Sequence, residues 1–78
     1  MSRVIQRQAA LAEVESARFS VELATRMEPG ELRTECLDEA HERLAVAYDA
    51  AARFYRPGSP SCVAMRDVAD LLMAGDAR

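Results

Sequence analysis

Residues 29–55 read PGELRTECLDEAHERLAVAYDAAARFY. At about 100° per residue, a helix gathers the apolar residues of this stretch on one face. That face holds Cys36, Leu37, Ala40, Leu44, Ala47, Tyr48, Ala51, Phe54 and Tyr55. The opposite face holds Glu31, Glu35, Asp38, Glu42 and Asp49. Because small Ala side chains run along the middle of the apolar face, the pattern predicts an amphipathic helix that a second helix approaches closely.

Two Pro-Gly breaks flank this helix. Glu28-Pro29-Gly30 ends a preceding helix capped by Ser2, and Pro29 suits the first turn of the next one. After Arg56-Pro57-Gly58, Ser59 or Ser61 can cap a third helix that ends at Gly75. The predicted fold is therefore all-α: a long antiparallel hairpin (about 2–27 and 29–55) plus a short third helix (about 60–74), in a single domain over residues 1–78.

The first helix carries apolar residues around more than one face. Ile5, Ala12 and Phe19 lie on one side, whereas Val14 and Val21 lie well round from them. One partner helix and one short helix do not cover so wide an arc, so we expect a second copy or another protein to bury the remainder, and dimerisation is one way to complete a bundle. We take Val14 and Val21 as interaction candidates. Arg18 projects into the same arc and needs a carboxylate partner or a path to water.

Composition narrows the functional class. All ten basic residues are Arg, and Ala is abundant, which indicates a GC-rich bacterium or its phage as the source. The net charge of −3 argues against a general nucleic-acid binder. Cys36 and Cys62 show no metal or redox spacing, and no apolar run is long enough for a signal sequence or a membrane span. These features predict a cytoplasmic protein with reduced thiols.

No motif supports catalysis. Asp38-Glu39-Ala40-His41 spells the acidic tetrad of DEAH-box helicases, but the chain lacks Lys and a phosphate-binding loop. Cys36 lies in an apolar stripe as a small hydrophobic residue, and Cys62 lies near a helix start, without a sign that His41 meets either thiol. We predict that the chain is not an enzyme and has no cofactor and no small-molecule substrate.

Asp38 and His41 are also considered as metal ligands. They stand three residues apart, as in an acid-x-x-His pair, and the first helix offers Glu13, Glu15 and Glu22. A metal-binding helical bundle that uses Asp38 and His41 is therefore one alternative function. The preferred interpretation is a solvated ion pair, because Asp38 lies near the centre of the polar face.

The remaining features favour protein–protein interaction. Tyr48, Phe54 and Tyr55 are expected to form the core at the open end of the hairpin, under the third helix, with an aromatic anchor for a partner as the alternative. The acidic face is either solvated or docks on a basic surface. We predict a non-catalytic homodimer or adaptor/inhibitor whose partner is a second copy of itself or another protein. We expect it to bind neither nucleic acid nor a membrane. An alternative function is a phage-encoded inhibitor of a host defence complex, such as an anti-CRISPR protein. The candidate interaction residues are Val14, Val21, Glu31, Glu35, Asp38, Glu42 and Tyr55.

Overall fold

The computed structural model describes residues 2–76, which form three α-helices: α1 (Arg3–Thr25), α2 (Glu31–Ala52) and α3 (Pro60–Asp76). Both α1 and α3 pack against α2, so the prediction of an all-helical fold with a hairpin and a third helix is confirmed. The predicted bounds of α2 were too wide at both ends, and α3 continues beyond its predicted end.

Local side-chain and backbone bonds explain where the helices begin. The Ser2 hydroxyl accepts a hydrogen bond from the Val4 amide (3.2 Å), and the Ser59 hydroxyl accepts one from the Cys62 amide (3.3 Å), so two predicted caps are confirmed. Gly30 is the residue that caps α2, and Pro29 precedes the helix instead of lying in its first turn. The helix begins after Gly30 because the backbone there is extended rather than helical.

A tight turn leads into α3. The Ser59 amide donates a hydrogen bond to the Arg56 carbonyl (3.0 Å), which closes a four-residue turn around Pro57 and Gly58. Gly58 has φ +83°, a left-handed conformation that residues with a Cβ rarely adopt. Pro followed by a left-handed Gly is the sequence signature of a type II turn.

The centre of the fold is a small set of buried side chains, here called the core cluster: Val14, Ala17, Leu44, Ala47 and Ala51. The predicted Ala seam of α2 is confirmed, since Ala40, Ala47 and Ala51 are all buried. Ala45 and Ala52 are buried as well, although they lie outside the predicted stripe. Because α2 packs helices on both sides, its buried arc is wider than a single partner helix would require.

The three helices form an open layer. The backbones of α1 and α3 contact α2 but do not contact each other within the described residues. The Cα atoms extend over 42 × 25 × 15 Å, so the molecule is wide and thin. Helices pack about 8–10 Å apart, so three helices side by side account for the width and leave little depth for a core. Accordingly, no large side chain is completely buried in the described part of the chain.

Candidate interaction surfaces

The side of α1 that meets α2 carries two of the residues that were taken as interaction candidates. Val14 is 6% exposed in the core cluster, and Val21 is half-buried against that cluster. The assignment of Val14 to a surplus apolar face is therefore wrong, because its side chain is buried against α2, whereas the role of the half-buried Val21 in binding stays a prediction. The surplus face is instead the side that carries Ile5, Ala12 and Phe19.

That side of α1 forms a stripe of five apolar residues and Ser16, whose hydroxyl is bound by Arg43 of α2. It is here called the outer stripe: Ile5, Ala9, Ala12, Ser16, Phe19 and Leu23. All six residues are exposed, and they lie about half a turn round the helix from Val14. Their spacing alternates between four and three residues, which is the spacing of a coiled-coil seam. None of the six is charged, so the outer stripe offers an apolar surface on either side of Ser16. Its regular spacing is the sequence signal that locates the surface.

A second apolar surface lies over the core cluster. Half-buried side chains from all three helices pack there, and we call this surface the cleft face: Leu11, Val21, Tyr48, Met65 and Leu72. Leu11 and Val21 come from α1, and Met65 and Leu72 come from α3, so side chains of both outer helices pack on the same core cluster. All five side chains are half-buried, so water still reaches the cleft face.

A polar network fixes α1 against α2 on the other side of the seam. The Arg43 guanidinium donates to the Glu13 carboxylate at 2.8 Å and to the Ser16 and Ser20 hydroxyls at 2.9 and 3.0 Å. The three acceptors are spaced three and four residues apart, so they share one face of α1. Sequence reasoning missed this network, although the spacing of Glu13, Ser16 and Ser20 was a usable signal. Because the network joins α1 to α2 through three acceptors, it helps to set the register of the hairpin.

An open groove runs beside this network at the loop end of the hairpin. It has a volume of about 360 Å³, and its lining includes Leu23, Met27, Cys36 and Arg43. Cys36 is half-buried there, so the expectation of a buried hydrophobic residue holds only in part, whereas Cys62 is buried at the start of α3. Both thiols are free. Ser20 and Glu39 also line the groove.

The acidic residues of α2 lie on the surface as the helical pattern predicts. Glu31, Glu35, Asp38 and Glu42 are all exposed. The expected pair of Asp38 and His41 is not among the ion pairs found in the described residues, and His41 is half-buried. Over the same part of the chain, no group of three or more His, Cys, Asp and Glu side chains stands close enough together to hold a metal ion.

The aromatic residues do not act as one cluster. Tyr48 is half-buried and packs on the core cluster, as expected. Phe54 instead lies under the Arg3 guanidinium, whose carbon stands 5.3 Å from the ring centre, and Arg3 also donates to the Arg53 carbonyl (3.4 Å). These contacts tie the start of α1 to the end of α2. Tyr55 is half-buried, and its role as a partner anchor stays a prediction.

Arg18 has both a carboxylate partner and a path to water, the two arrangements that were expected for it. Its guanidinium stands 3.8 Å from the Glu15 carboxylate, one helical turn away on α1, and its side chain remains largely in solvent. Such an exposed pair contributes little to stability. Arg18 therefore does not interrupt the apolar packing of α1 on α2.

Comparisons of the chain with protein-family models, with curated proteins and with solved structures found no match. Among the described residues, no helix combines the length and the apolar character needed to cross a membrane. The cytoplasmic location stays a prediction.

Proposed function

We propose that this chain is a non-catalytic helical protein that acts by binding protein, either a second copy of itself or another protein. The observation that carries the proposal is the exposure of large apolar side chains on the helices. Phe19, Leu32 and Leu71 are 58%, 64% and 71% exposed. Large apolar side chains left exposed on a small protein indicate protein or membrane contacts, and the negative charge of the chain disfavours an anionic membrane.

The outer stripe supports the same proposal from its geometry. Ile5, Ala12, Phe19 and Leu23 present anchors at intervals of seven, seven and four residues along one helix face. Amphipathic helices use this arrangement to lie in an apolar groove or against another helix. The expected partner surface is an apolar groove or helix about as long as α1.

The acidic surface of α2 favours a second candidate function, an inhibitor that docks on a basic surface of its target. Four acidic residues are exposed along one helix, α2: Glu31, Glu35, Asp38 and Glu42. Such a stripe steers association with a basic partner and adds selectivity. An anti-CRISPR-type inhibitor of a nucleic-acid-binding complex is one member of this class, and the support for it is the charge pattern alone.

Two measurements test the proposal. The first is affinity capture from the host cell, read by quantitative mass spectrometry, and the second is the self-association of the purified chain. The variants are Phe19→Glu on the outer stripe and Met65→Glu on the cleft face, with Ala74→Glu at an exposed position of α3 as the matched control. We expect the wild type and the control to bind protein, and at least one surface variant to lose it. The proposal fails if the wild type does not self-associate and retains no protein beyond what a tag alone retains.

A further inference from the structure

One end of the molecule is basic, although the chain as a whole is acidic. Residues 2–12, which begin α1, and residues 50–66, which surround the turn into α3, include five of the ten arginines and no Asp or Glu. Residues 13–49 hold ten acidic residues against four arginines. Contacts of Arg3 with the Phe54 ring and with the Arg53 carbonyl place the start of α1 beside the end of α2, so the two acid-free segments meet at one end of the hairpin.

Four exposed arginines form this surface, here called the basic end: Arg3, Arg7, Arg53 and Arg56. Among the ion pairs of the described residues, only the pair of Arg53 with Asp49 (3.4 Å) involves any of them. The helices α1 and α3 also begin at this end, and the N-terminus of a helix carries a partial positive charge. The basic end therefore offers guanidinium groups that the carboxylates of a partner can bind.

The opposite charge collects on the first half of α2. We call this surface the acidic side: Glu31, Glu35, Asp38 and Glu42. All four residues are exposed, and none takes part in an ion pair found in the described chain. They extend over about 17 Å of helix. This length matches the end of the molecule, because the two shorter extents of the Cα atoms are 25 and 15 Å.

The basic end and the acidic side of one chain do not neutralise each other. Glu42 is the residue of the acidic side that lies nearest to Arg53 along α2, and about 17 Å of helix separates the two. Opposite charges so far apart are screened at physiological ionic strength, where the Debye length is about 8 Å. For the same reason, the net charge of −3 does not keep the basic end of one copy away from the acidic side of another.

Both surfaces also carry exposed apolar side chains that can supply contact area. Val4 and Ile5 are each more than half exposed at the basic end. Leu32 and Val46 are also more than half exposed, and both lie within about 60° of Glu35 round α2. A contact between the two surfaces would therefore bury apolar area together with the charges.

We propose that the basic end of one copy docks on the acidic side of a second copy, so that the chain associates head to tail. The proposal rests on the proposed function and names a partner and two surfaces for it. Charge complementarity selects the arrangement, because two basic ends or two acidic sides would repel each other. The interface joins two different surfaces, so each copy keeps one of each for a further copy. The cleft face stays open to another protein.

A nucleic acid is the other ligand that arginines commonly bind. Only a short stretch of phosphate backbone fits on an end of 25 by 15 Å. A longer nucleic acid would extend past the basic end along residues 13–49, where the acids outnumber the arginines. The acidic side of a second copy has both the charge and the length of the basic end, so the observations favour a second copy.

The test is the absolute mass of full-length chains by light scattering on a sizing column, at several concentrations and at low and high ionic strength. Two variants reverse charge at exposed positions: Arg7→Glu/Arg56→Glu on the basic end and Glu35→Arg/Glu42→Arg on the acidic side. At low ionic strength, the mass of the wild type should rise above 8.6 kDa with concentration, and salt should reverse the rise. Each variant alone should raise the Kd by about tenfold or more.

Mixing the two variants is the decisive step, because each restores the charge complement that the other has lost. The mixture should associate at concentrations at which each variant alone stays at 8.6 kDa. The matched control is Asp67→Arg/Asp70→Arg, which makes the same charge change at exposed positions of α3 and should associate like the wild type.

Three results would overturn the proposal. The first is a wild type that stays at 8.6 kDa under all conditions, and the proposed function would then still stand if affinity capture finds another protein. The second is self-association that both reversed-charge variants retain, because another surface would then join the copies. The third is a wild type that does not self-associate but binds a short duplex DNA that Arg7→Glu/Arg56→Glu does not bind.

Discussion

Ala17 gives the sharpest test of how closely α1 and α2 approach. It is 0% exposed and packs in the core cluster with Ala47 and Ala51. In Ala17→Leu, an isobutyl group must enter a seam built from methyl groups, so the two helices have to separate or the new side chain has to leave its preferred rotamer. Overpacking of this kind costs about 1–3 kcal/mol. The change in intrinsic helix propensity is small by comparison, because Leu and Ala are both strong helix formers.

The assay is thermal unfolding followed by circular dichroism at one fixed protein concentration. For a domain of this size, 1 kcal/mol shifts Tm by about 4–8 °C, so Ala17→Leu should lower Tm by about 4–24 °C. Ala12→Leu is the matched control: it makes the same substitution in the same helix at an exposed position, and its Tm should stay close to that of the wild type. Equal Tm values for the two variants would refute the close-packed seam.

Three further results follow from the structure. Gly58→Ala should lower the free energy of unfolding by about 1 kcal/mol, because Gly58 has φ +83°. Gly30→Ala should lower it less, because the backbone there is extended and no atom crowds an added Cβ. Equal urea midpoints for the two variants would contradict this explanation. Arg43→Ala should lower the free energy of unfolding by about 1–2 kcal/mol, because its charged hydrogen bonds join the helices; a urea titration that matches the wild type would mean that the network does not fix the hairpin. In native protein, an alkylating reagent should modify the half-buried Cys36 faster than the buried Cys62, which peptide mass spectrometry checks, and equal rates would contradict the burial of Cys62.

The helices could be predicted from the sequence because their ends are chemically marked. Ser2 and Ser59 carry cap hydroxyls, and Gly58 permits the left-handed turn before α3. The apolar stripe of α2 could be predicted as well, since acidic residues mark the opposite face of the helix. These signals depend only on residues that are close together in the sequence, so the sequence of one chain is enough to identify them.

The packing partner of each helix face could not be predicted in the same way. Apolar residues surround α1, and hydropathy alone does not distinguish the side of Val14 from the side of Phe19. The network of Arg43 with Glu13 and the serines lies along the side of α1 that packs on α2, and it joins residues about thirty positions apart in the chain. The burial of Ala45 and Ala52 was missed for a related reason: an Ala side chain signals burial weakly, because it removes little area from water.

The candidate surfaces were predicted in part. The acidic residues of α2 are exposed as expected, and Ile5, Ala12 and Phe19 do share an uncovered side of α1. The cleft face was not predicted, because it depends on α1 and α3 both packing on α2 without packing on each other. That arrangement is a property of the tertiary fold and has no local signal in the sequence.

The central claim is that this layer of helices acts by binding protein through the apolar side chains that it leaves exposed. Affinity capture with the full chain, read together with the mass of the captured assembly, tests it most directly. The account predicts an assembly heavier than the 8.6 kDa chain, in which the wild type retains a second copy or another protein. A chain that stays at 8.6 kDa at every concentration and retains no protein beyond what a tag alone retains would contradict it.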